Sequence, residues 1–410
     1  MFLSESEEFQ IMKWFNNIGP GTMVAAAFIG PGTVTICTLS GVQFGYSLLW
    51  AMTLSIVATI VLQEMAARIG IITQKGLATI IKEQIASVHI RKLTIFLILS
   101  AIVIGNAAYE AGNITGASMG LSTVFGDNTY HFYPIVIGFI AFILLYLGNY
   151  KILERSLVVL VLFMSISFLL TAIITKPNLV LMLKGMFVPS IPQKSILTIV
   201  GLIGTTVVPY NLFLHTSLVK EKWKKKSDLK LARKDTYISI ILGGIVSMSI
   251  MISAASISGN EINNVVDLAK GLEPLYGSFA KYFLGVGLFA AGITSAITAP
   301  LAAAYVANNC FGWNAGLKDI KFRAAWLVIL ILGVIFSSFQ FSPIEVIKFA
   351  QVTNGILLPI VASFLLWLVN KSIILGKYRN KSIQNIISIF IILITIVLGF
   401  KSILKVLELL

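Results

Sequence analysis

Residues 25–39, AAAFIGPGTVTICTL, place Gly30-Pro31-Gly32 inside an uncharged stretch that is long enough to enter a lipid bilayer. Because proline lacks a backbone donor and crowds the carbonyl four residues earlier, Pro31 frees the carbonyl of Ala27 from helical pairing. In hydrocarbon, non-helical backbone survives only where it packs inside protein or lines a polar cavity. The stretch therefore predicts a helix that is broken at a cavity or at a tight packing site.

A second break of the same kind occurs in residues 199–219, IVGLIGTTVVPYNLFLHTSLV, where Pro209 frees the carbonyl of Thr205. Polar side chains flank both prolines, with Thr33 near the first and Tyr210 and Asn211 beside the second. A proline kink without function is one interpretation. Paired Gly/Pro interruptions in equivalent positions of two halves are instead typical of the substrate site of secondary transporters, near the middle of the bilayer. We favour a transport site.

The composition is that of a polytopic membrane protein, since 57% of the 410 residues are hydrophobic and 12% are charged, against about a quarter charged in soluble domains. A helix needs about 20 apolar residues to span a bilayer. Eleven such runs are predicted, at 19–42, 45–69, 93–120, 133–149, 156–175, 194–219, 237–258, 277–308, 323–339, 344–369 and 384–403. The fold class is therefore all-α.

The eleven predicted spans divide into two repeats of five and one additional span. Spans 1–5 (19–175) form the first repeat and spans 6–10 (194–369) the second, in inverted orientation, so that the broken spans 1 and 6 each lead a repeat. Residues 1–18 form an N-terminal tail, and 384–403 form span 11.

The net charge of +14 lies almost entirely in alternate connections, of which the densest is KEKWKKKSDLKLARK at 220–234. This alternation indicates membrane topology and not nucleic-acid binding. By the positive-inside rule the N-terminus is cytoplasmic and the C-terminus external. The acidic opening MFLSESEEFQ lacks the basic region of a cleavable signal, so we expect span 1 to be retained. The absence of a eukaryotic-style targeting segment favours a bacterial inner membrane.

No motif for a cofactor or for soluble-enzyme chemistry occurs in the chain. It has no phosphate-binding glycine loop, nucleophile elbow or zinc-ligand spacing, which argues against an enzyme or an ATP-driven pump. The two cysteines, Cys37 and Cys310, lie in apolar segments, and we interpret them as small buried hydrophobic residues.

The third span, IGNAAYEAGNITGASMG at 104–120, carries Asn106, Glu110 and Asn113 on one helix face. An ionisable residue inside a span is by default a functional hypothesis. Burial favours the neutral form of this carboxyl, so Glu110 could hold and release a proton or attract a cation. The alternative is a protonated acid that bonds to a neighbouring helix.

Other polar residues in the spans allow structural interpretations. Glu64 precedes Arg68 by four residues, the favourable order for a helical ion pair. His215 follows Asn211 by one turn and either lines an inner vestibule or packs against a neighbour. The KFAQVTNGILLPI stretch carries Gln351 and Asn354 before a proline and predicts another cavity or gating element.

Several strings closely resemble the Nramp family of divalent metal transporters, in order and spacing, from about Gly19 to Val369. They are SGVQFGYSLLW (40–50), LQEMAARIGIIT (62–73), GMFVPSIP (185–192), GLIGTTVVPYNLFLHTSLV (201–219) and GLFAAGITSAIT (287–298). The resemblance implies the LeuT-like five-plus-five inverted repeat with broken helices 1 and 6, to which span 11 is an addition.

The resemblance also identifies departures at the family's metal site. Where the family has Asp-Pro-Gly-Asn, this chain has Gly30, Pro31, Gly32 and Thr33. Its Met-Pro-His motif is replaced by Val208, Pro209 and Tyr210. Its glutamine, which comes from span ten of the family's count and is placed on span eight here, is replaced by Ala304. The acidic pair of the third span corresponds to Glu110 and Asn113.

Three functional hypotheses follow from these matches. The first is a secondary transporter of divalent cations with altered selectivity, Mg²⁺ or Mn²⁺ as candidates, and with doubtful proton coupling. The second is a transporter of a small organic solute on the same fold, and the third is a transport-dead receptor or scaffold. The expected partners are the lipid bilayer, the transported species and protons. The implied substrate site comprises Ala27, Gly30, Thr33, Thr205, Val208, Tyr210, Asn211 and Ala304, with Ala27, Thr33 and Thr205 as metal ligands and with Glu110, Asn113 and His215 for coupling.

Overall fold

The computed structural model describes residues 19–21, 29–126, 128–148, 151–257, 262, 265–313, 315–339 and 341–406, and all regular structure in these ranges is helical. The helices are α1 (Pro31–Phe44), α2 (Leu49–Thr73), α3 (Leu77–Gln84), α4 (Val88–Phe125), α5 (Tyr133–Leu147), α6 (Lys151–Ile174), α7 (Leu179–Phe187), α8 (Ile196–Thr206), α9 (Pro209–Lys222), α10 (Leu229–Ala254), α11 (Val265–Ala269), α12 (Glu273–Tyr276), α13 (Ala280–Phe311), α14 (Ile320–Ser338), α15 (Pro343–Val369), α16 (Ser372–Leu375) and α17 (Ser382–Val406).

Nine helical segments in the described ranges are long and apolar enough to cross a membrane. They correspond to the predicted spans 2–4 and 6–11. The fifth predicted span is α6, whose described apolar part is Val158–Ile174, and the first is described at 19–21 and again from residue 29 onward. The predicted N-terminal tail, 1–18, lies outside the described residues.

The predicted interruption of the sixth span is confirmed. Helix α8 ends at Thr206 and α9 begins at Pro209, with extended backbone at Val208 between them. Proline is suited to the first position of a helix, because the N–H that it lacks would have no partner there. Pro31 opens α1 in the same way, after extended backbone at Gly30.

The start of the first span is anchored to α10. The carboxylate of Asp235 accepts hydrogen bonds from the backbone N–H groups of Gly19 (3.0 Å) and Gly21 (2.7 Å). A Cβ at either glycine would overlap this carboxylate, so the short Gly-Pro-Gly sequence permits the contact. Asp235 therefore satisfies backbone donors that a helix start leaves without an intrahelical partner.

Helix α4 packs extensively against α13, α14 and α15. Helices α8 and α15 approach closely at Gly204 and Gly355, where a Cβ would overlap the backbone of the opposite helix. Small residues at such crossings increase van der Waals contact, which drives helix association in lipid. The packing thus places α8, the first half of the broken sixth span, against the middle of α15.

The basic connections converge at one end of the bundle, which we name the basic end. It contains the connections that follow the second, fourth, sixth, eighth and tenth predicted spans. The contacts joining them include Gln74 Nε2 to the Trp223 carbonyl (3.0 Å), Arg68 Nη1 to the Tyr378 carbonyl (2.9 Å), Lys82 Nζ to the Cys310 carbonyl (3.5 Å) and the Arg323 guanidinium over the Tyr146 ring (4.3 Å). This segregation is the arrangement on which the positive-inside rule depends.

A buried ion pair lies near the basic end. Glu64 accepts from Arg68 at 2.9 Å, as the spacing predicts, and also from Arg233 Nε of α10 at 2.8 Å. Arg68 donates further to Asn380 Oδ1 at 2.6 Å. The network therefore fastens α2 to α10 and to the connection that precedes α17.

Glu64→Ala should lower the thermal stability of the protein strongly. Arg68 is 1% exposed, and removing its carboxylate leaves a buried guanidinium that costs about 3–5 kcal/mol. The measurement is the apparent Tm in detergent. The control is Glu83→Ala, which breaks the exposed Lys75–Glu83 pair and should cost about 1 kcal/mol or less. Equal shifts in the two variants would contradict this interpretation of the network.

Candidate functional site

The two helical breaks lie against each other. The hydroxyl oxygens of Thr33 and Thr205 are 2.6 Å apart and share a hydrogen bond, and both side chains are buried. Thr33 lies in the first turn of α1, and Thr205 lies in the last turn of α8. The structure therefore joins the second half of span 1 to the first half of span 6 through polar side chains.

Helix α4 holds both breaks in place. The Pro31 ring occupies the space that a Cβ at Gly116 would need, so the small-residue face of α4 receives the start of α1. About two turns earlier on α4, the Tyr109 ring packs edge to face against Tyr210 in the first turn of α9, with ring centroids 5.6 Å apart. A single helix thus contacts both breaks.

Position 30, which carries the acid in the family's motif, faces neutral hydroxyl groups. A Cβ at Gly30 would lie 3.0 Å from Ser295 Oγ and 3.9 Å from Tyr109 Oη. Sequence reasoning missed Ser295, because nothing in the periodicity of α13 distinguishes it from the many small residues of that helix.

The predicted role of Ala304 requires a correction. Ala304 is buried on α13, but it lies nine residues beyond Ser295, roughly 13 Å along the helix axis, so the structure does not bring it to position 30. The amide of Gln351 on α15 instead occupies the space beside Gly32. Helix α15 is the tenth predicted span, so a side chain of that span lies at the first break.

Several buried polar atoms near the breaks have no hydrogen bond within the described part of the chain. They are both amide atoms of Asn211, both amide atoms of Asn354, Gln351 Oε1 and Ser295 Oγ. A buried polar atom without a partner costs about 1–3 kcal/mol, which a bound polar species would recover. Val208, between the two halves of span 6, is fully buried and supplies neither charge nor a thioether.

The ligands available at the breaks are therefore neutral oxygen and nitrogen atoms. Among the described residues, no group of three or more His, Cys, Asp or Glu side chains could hold a metal ion. Ala27, whose carbonyl was predicted to be a ligand, lies outside the described residues. The hydroxyls of Thr33 and Thr205 are the polar pair that the structure places at the centre of the site.

Glu110 is fully buried beside the site. Its Oε2 accepts from Asn113 Nδ2 at 3.4 Å, and its aliphatic part packs against Gly333 of α14. None of the ion pairs in the described ranges includes Glu110. Asn106, on the same face of α4, donates instead to the Ala299 carbonyl of α13 at 3.0 Å.

His215 faces α2 and not the breaks. Its Nδ1 lies 2.8 Å from Gln63 Oε1, and both side chains are fully buried. Its Nε2 and the Gln63 Nε2 have no hydrogen bond in the described ranges. Sequence reasoning selected His215 from its spacing to Asn211, but it could not identify the partner, which lies 152 residues away.

Two interrupted helices that meet at a buried polar site define the LeuT-like class of integral membrane transporter. Solved structures share this fold: a manganese transporter of Eremococcus coleocola crystallised with an aromatic bis-isothiourea compound has 19% identity and a TM-score of 0.78, covering 99% of this chain and 89% of that one. Mhp1, a nucleobase-cation-symport-1 family transporter, has 14% identity and a TM-score of 0.61, covering 95% of this chain and 93% of its own.

The family follows from the sequence comparison. The family model described as natural resistance-associated macrophage protein-like matches residues 21–405, so the chain belongs to the Nramp family. The divalent metal cation transporter MntH of Caldanaerobacter subterraneus is 26% identical over 395 residues, covering 93% of this chain and 91% of the relative. The metal transporter nramp1 homolog of Dictyostelium discoideum is 28% identical over 415 residues, covering 94% and 76%.

Gly116→Ala should destabilise the protein, because the added methyl group overlaps the Pro31 ring and forces α4 away from the first break. Overpacking of this kind costs about 1–3 kcal/mol. The control on the same helix is Gly105→Ala, whose methyl group would lie 3.1 Å from the side-chain end of Leu357 and 3.3 Å from Asn354 Oδ1, without overlap of a ring or of backbone. Thermal denaturation in detergent should show a lower Tm for Gly116→Ala alone, and an unchanged Tm would contradict the packing of Pro31 on α4.

Proposed function

We propose that this protein is a secondary transporter that moves a divalent metal cation across the membrane, with a selectivity shifted towards hard ions. The observation that carries the proposal is the buried Thr33–Thr205 contact, which makes one polar site from the two breaks of an Nramp-family chain. Curated relatives over nearly the whole length are named divalent metal cation transporters, which supports a cation as the substrate class.

The selectivity follows from the donors at the breaks. A thioether favours soft transition metals, but Val208 stands at that position, and Gly30 removes the carboxylate. The remaining hydroxyl and amide groups suit a hard cation that keeps part of its water shell. Mg²⁺ dehydrates reluctantly and usually retains several waters, so Mg²⁺ is our first candidate and Mn²⁺ the second.

A small organic solute is the second candidate substrate. The observation that favours it is the lack of a carboxylate at position 30, together with the paired rings of Tyr109 and Tyr210 beside the break. An amine could be held by a ring face or by Glu110, and its polar groups by the unpaired amide of Asn211.

Topology and location complete the proposal. The basic end faces the cytoplasm, with the N-terminus inside and the C-terminus outside, in a bacterial inner membrane. Residues 19–175 and 194–369 form the two inverted repeats that move against each other during transport. The convergence of the basic connections at one end supports this orientation.

Uptake into proteoliposomes tests the proposal, with a panel of Mg²⁺, Mn²⁺, Ca²⁺ and amino acids and a pH-sensitive dye inside. We expect saturable uptake of Mg²⁺ or Mn²⁺. Thr33→Val, which removes a hydroxyl from the site, should lower that uptake about tenfold, since a hydrogen bond to a charged group contributes about 1.5–3 kcal/mol.

The matched control is Thr353→Val, whose hydroxyl donates to the Phe349 carbonyl of its own helix (2.8 Å). It should transport like the unmodified chain. Saturable uptake of an organic compound with none of the ions would contradict a cation substrate and favour the second candidate.

Glu110→Gln tests proton coupling. The substitution keeps the shape that packs on Gly333 but removes the ionisable group, so we expect uptake to lose its dependence on a pH gradient while the protein remains folded. Glu83→Gln, on the exposed surface of α3, is the control and should keep that dependence. If Glu110→Gln responds to the gradient as the unmodified chain does, Glu110 is a structural residue and does not couple protons to transport.

A further inference from the structure

A groove of about 530 Å³ separates the end of α15 from the first half of α17. Its walls are largely apolar, and one basic side chain lies at its mouth, at the basic end of the bundle. The residues that matter here are Leu366, Trp367, Lys371, Ile389, Ile392 and Leu393. The groove is separate from the breaks, since Gln351 approaches Gly32 from a part of α15 that lies twelve or more residues, roughly 18 Å, before Ser363 of the groove.

The mouth of the groove is fixed by a pair of amides. Asn370 Nδ2 donates to Asn385 Oδ1 at 2.9 Å, and Asn385 Nδ2 donates back to Asn370 Oδ1 at 2.7 Å. Asn380 also donates to Asn385 Oδ1 at 2.9 Å. These bonds fix the end of α15 relative to the start of α17. The fold therefore determines the width of the groove at its mouth.

Lys371 is held over the mouth. Its Nζ lies 5.0 Å from the centre of the Trp367 ring, in the range of a cation–π contact. None of the ion pairs in the described ranges includes Lys371, so its charge has no carboxylate partner there. Tryptophan beside lysine at the end of a span is typical of the lipid headgroup region.

The connection between α15 and α17 carries charge of one sign. Residues 370–381 contain Lys371, Lys377, Arg379 and Lys381, and the chain has no acidic residue between Glu345 and Glu408. Each basic residue near an anionic membrane surface contributes about 1 kcal/mol to its attraction. The groove thus combines apolar walls with a lysine at its mouth and a basic connection that follows this lysine.

We propose that this groove is a binding site for an anionic phospholipid, with one acyl chain along the wall formed by Ile389, Ile392 and Leu393 and with the phosphate at Lys371. A soluble anion would use only the mouth, and a lipid without net charge would leave the positive charge of residues 370–381 unmatched. The exposed fractions of Ile389 (48%) and Leu393 (55%) leave the channel open on the lipid side. The site depends on membrane embedding and not on which substrate the protein carries.

Native mass spectrometry of the full chain in detergent tests the site, with dioleoyl phosphatidylglycerol and dioleoyl phosphatidylcholine as probes. We expect a one-to-one complex with phosphatidylglycerol that is at least about fivefold more populated than the complex with phosphatidylcholine. Lys371→Gln should remove this preference, and Ser363→Phe, which narrows the channel, should reduce the binding of both lipids.

The control is Lys321→Gln, an exposed lysine at the start of α14, which should leave both complexes unchanged. If the unmodified chain retains the two lipids equally, this result alone overturns the proposal. An unchanged preference in Lys371→Gln would also overturn it. Displacement of phosphatidylglycerol by soluble glycerol 3-phosphate would assign the mouth to a free phosphate and would contradict a lipid site.

Discussion

The pairing of backbone polar groups in hydrocarbon is the constraint on which the rest of the structure depends. Pro209 begins α9 after the interruption of the sixth span, and Pro31 begins α1 after extended backbone at Gly30. Such backbone must be enclosed by protein, because lipid offers no hydrogen bonds. The Thr33–Thr205 bond, the small residues of α4 and the close approach of α8 to α15 are the means of enclosure. A buried polar site follows from the same enclosure.

Family membership determines the fold of this chain, but it does not determine which ion or solute the chain carries. The breaks and their packing are retained, whereas the charged and soft ligands of the family's motifs are replaced by Gly30 and Val208. Around them the structure gathers hydroxyls and amides, and the buried carboxyl of Glu110 lies one helix face away, against α14. Because one fold can host several functions, the substrate must be inferred from the residues of the site. The described residues at the breaks carry no charge.

The sequence predicted those features that depend on short-range patterns. Both breaks, the apolar spans, the alternation of basic connections and the Glu64–Arg68 pair follow from proline chemistry, run length and helical spacing. Partners that lie far apart in the chain were not predictable. Arg233 reaches Glu64 across 169 residues and Gln63 reaches His215 across 152, and helical periodicity gives the face of a residue without naming the neighbour on that face.

The same limit explains why Ala304 was assigned to the site. Motif alignment assigned it by counting spans, but only the crossing of α15 with α8 reveals that Gln351 reaches Gly32. Ser295 was missed for a related reason, because its significance comes entirely from the absence of a side chain at Gly30 opposite it. Residues whose role depends on the groups that they face can be identified only once the packing of the helices is known.

Disulfide cross-linking is the most direct test of the central claim that the two breaks meet. In a chain with Cys37 and Cys310 replaced by alanine, Thr33→Cys with Thr205→Cys should form a disulfide on mild oxidation, because the two hydroxyl oxygens lie 2.6 Å apart. The control pair, Thr38→Cys with Thr205→Cys, places one thiol about 7.5 Å further along α1 and should stay reduced. Peptide mass spectrometry that finds no cross-link in the first pair, or equal cross-linking in both, would contradict the joined breaks.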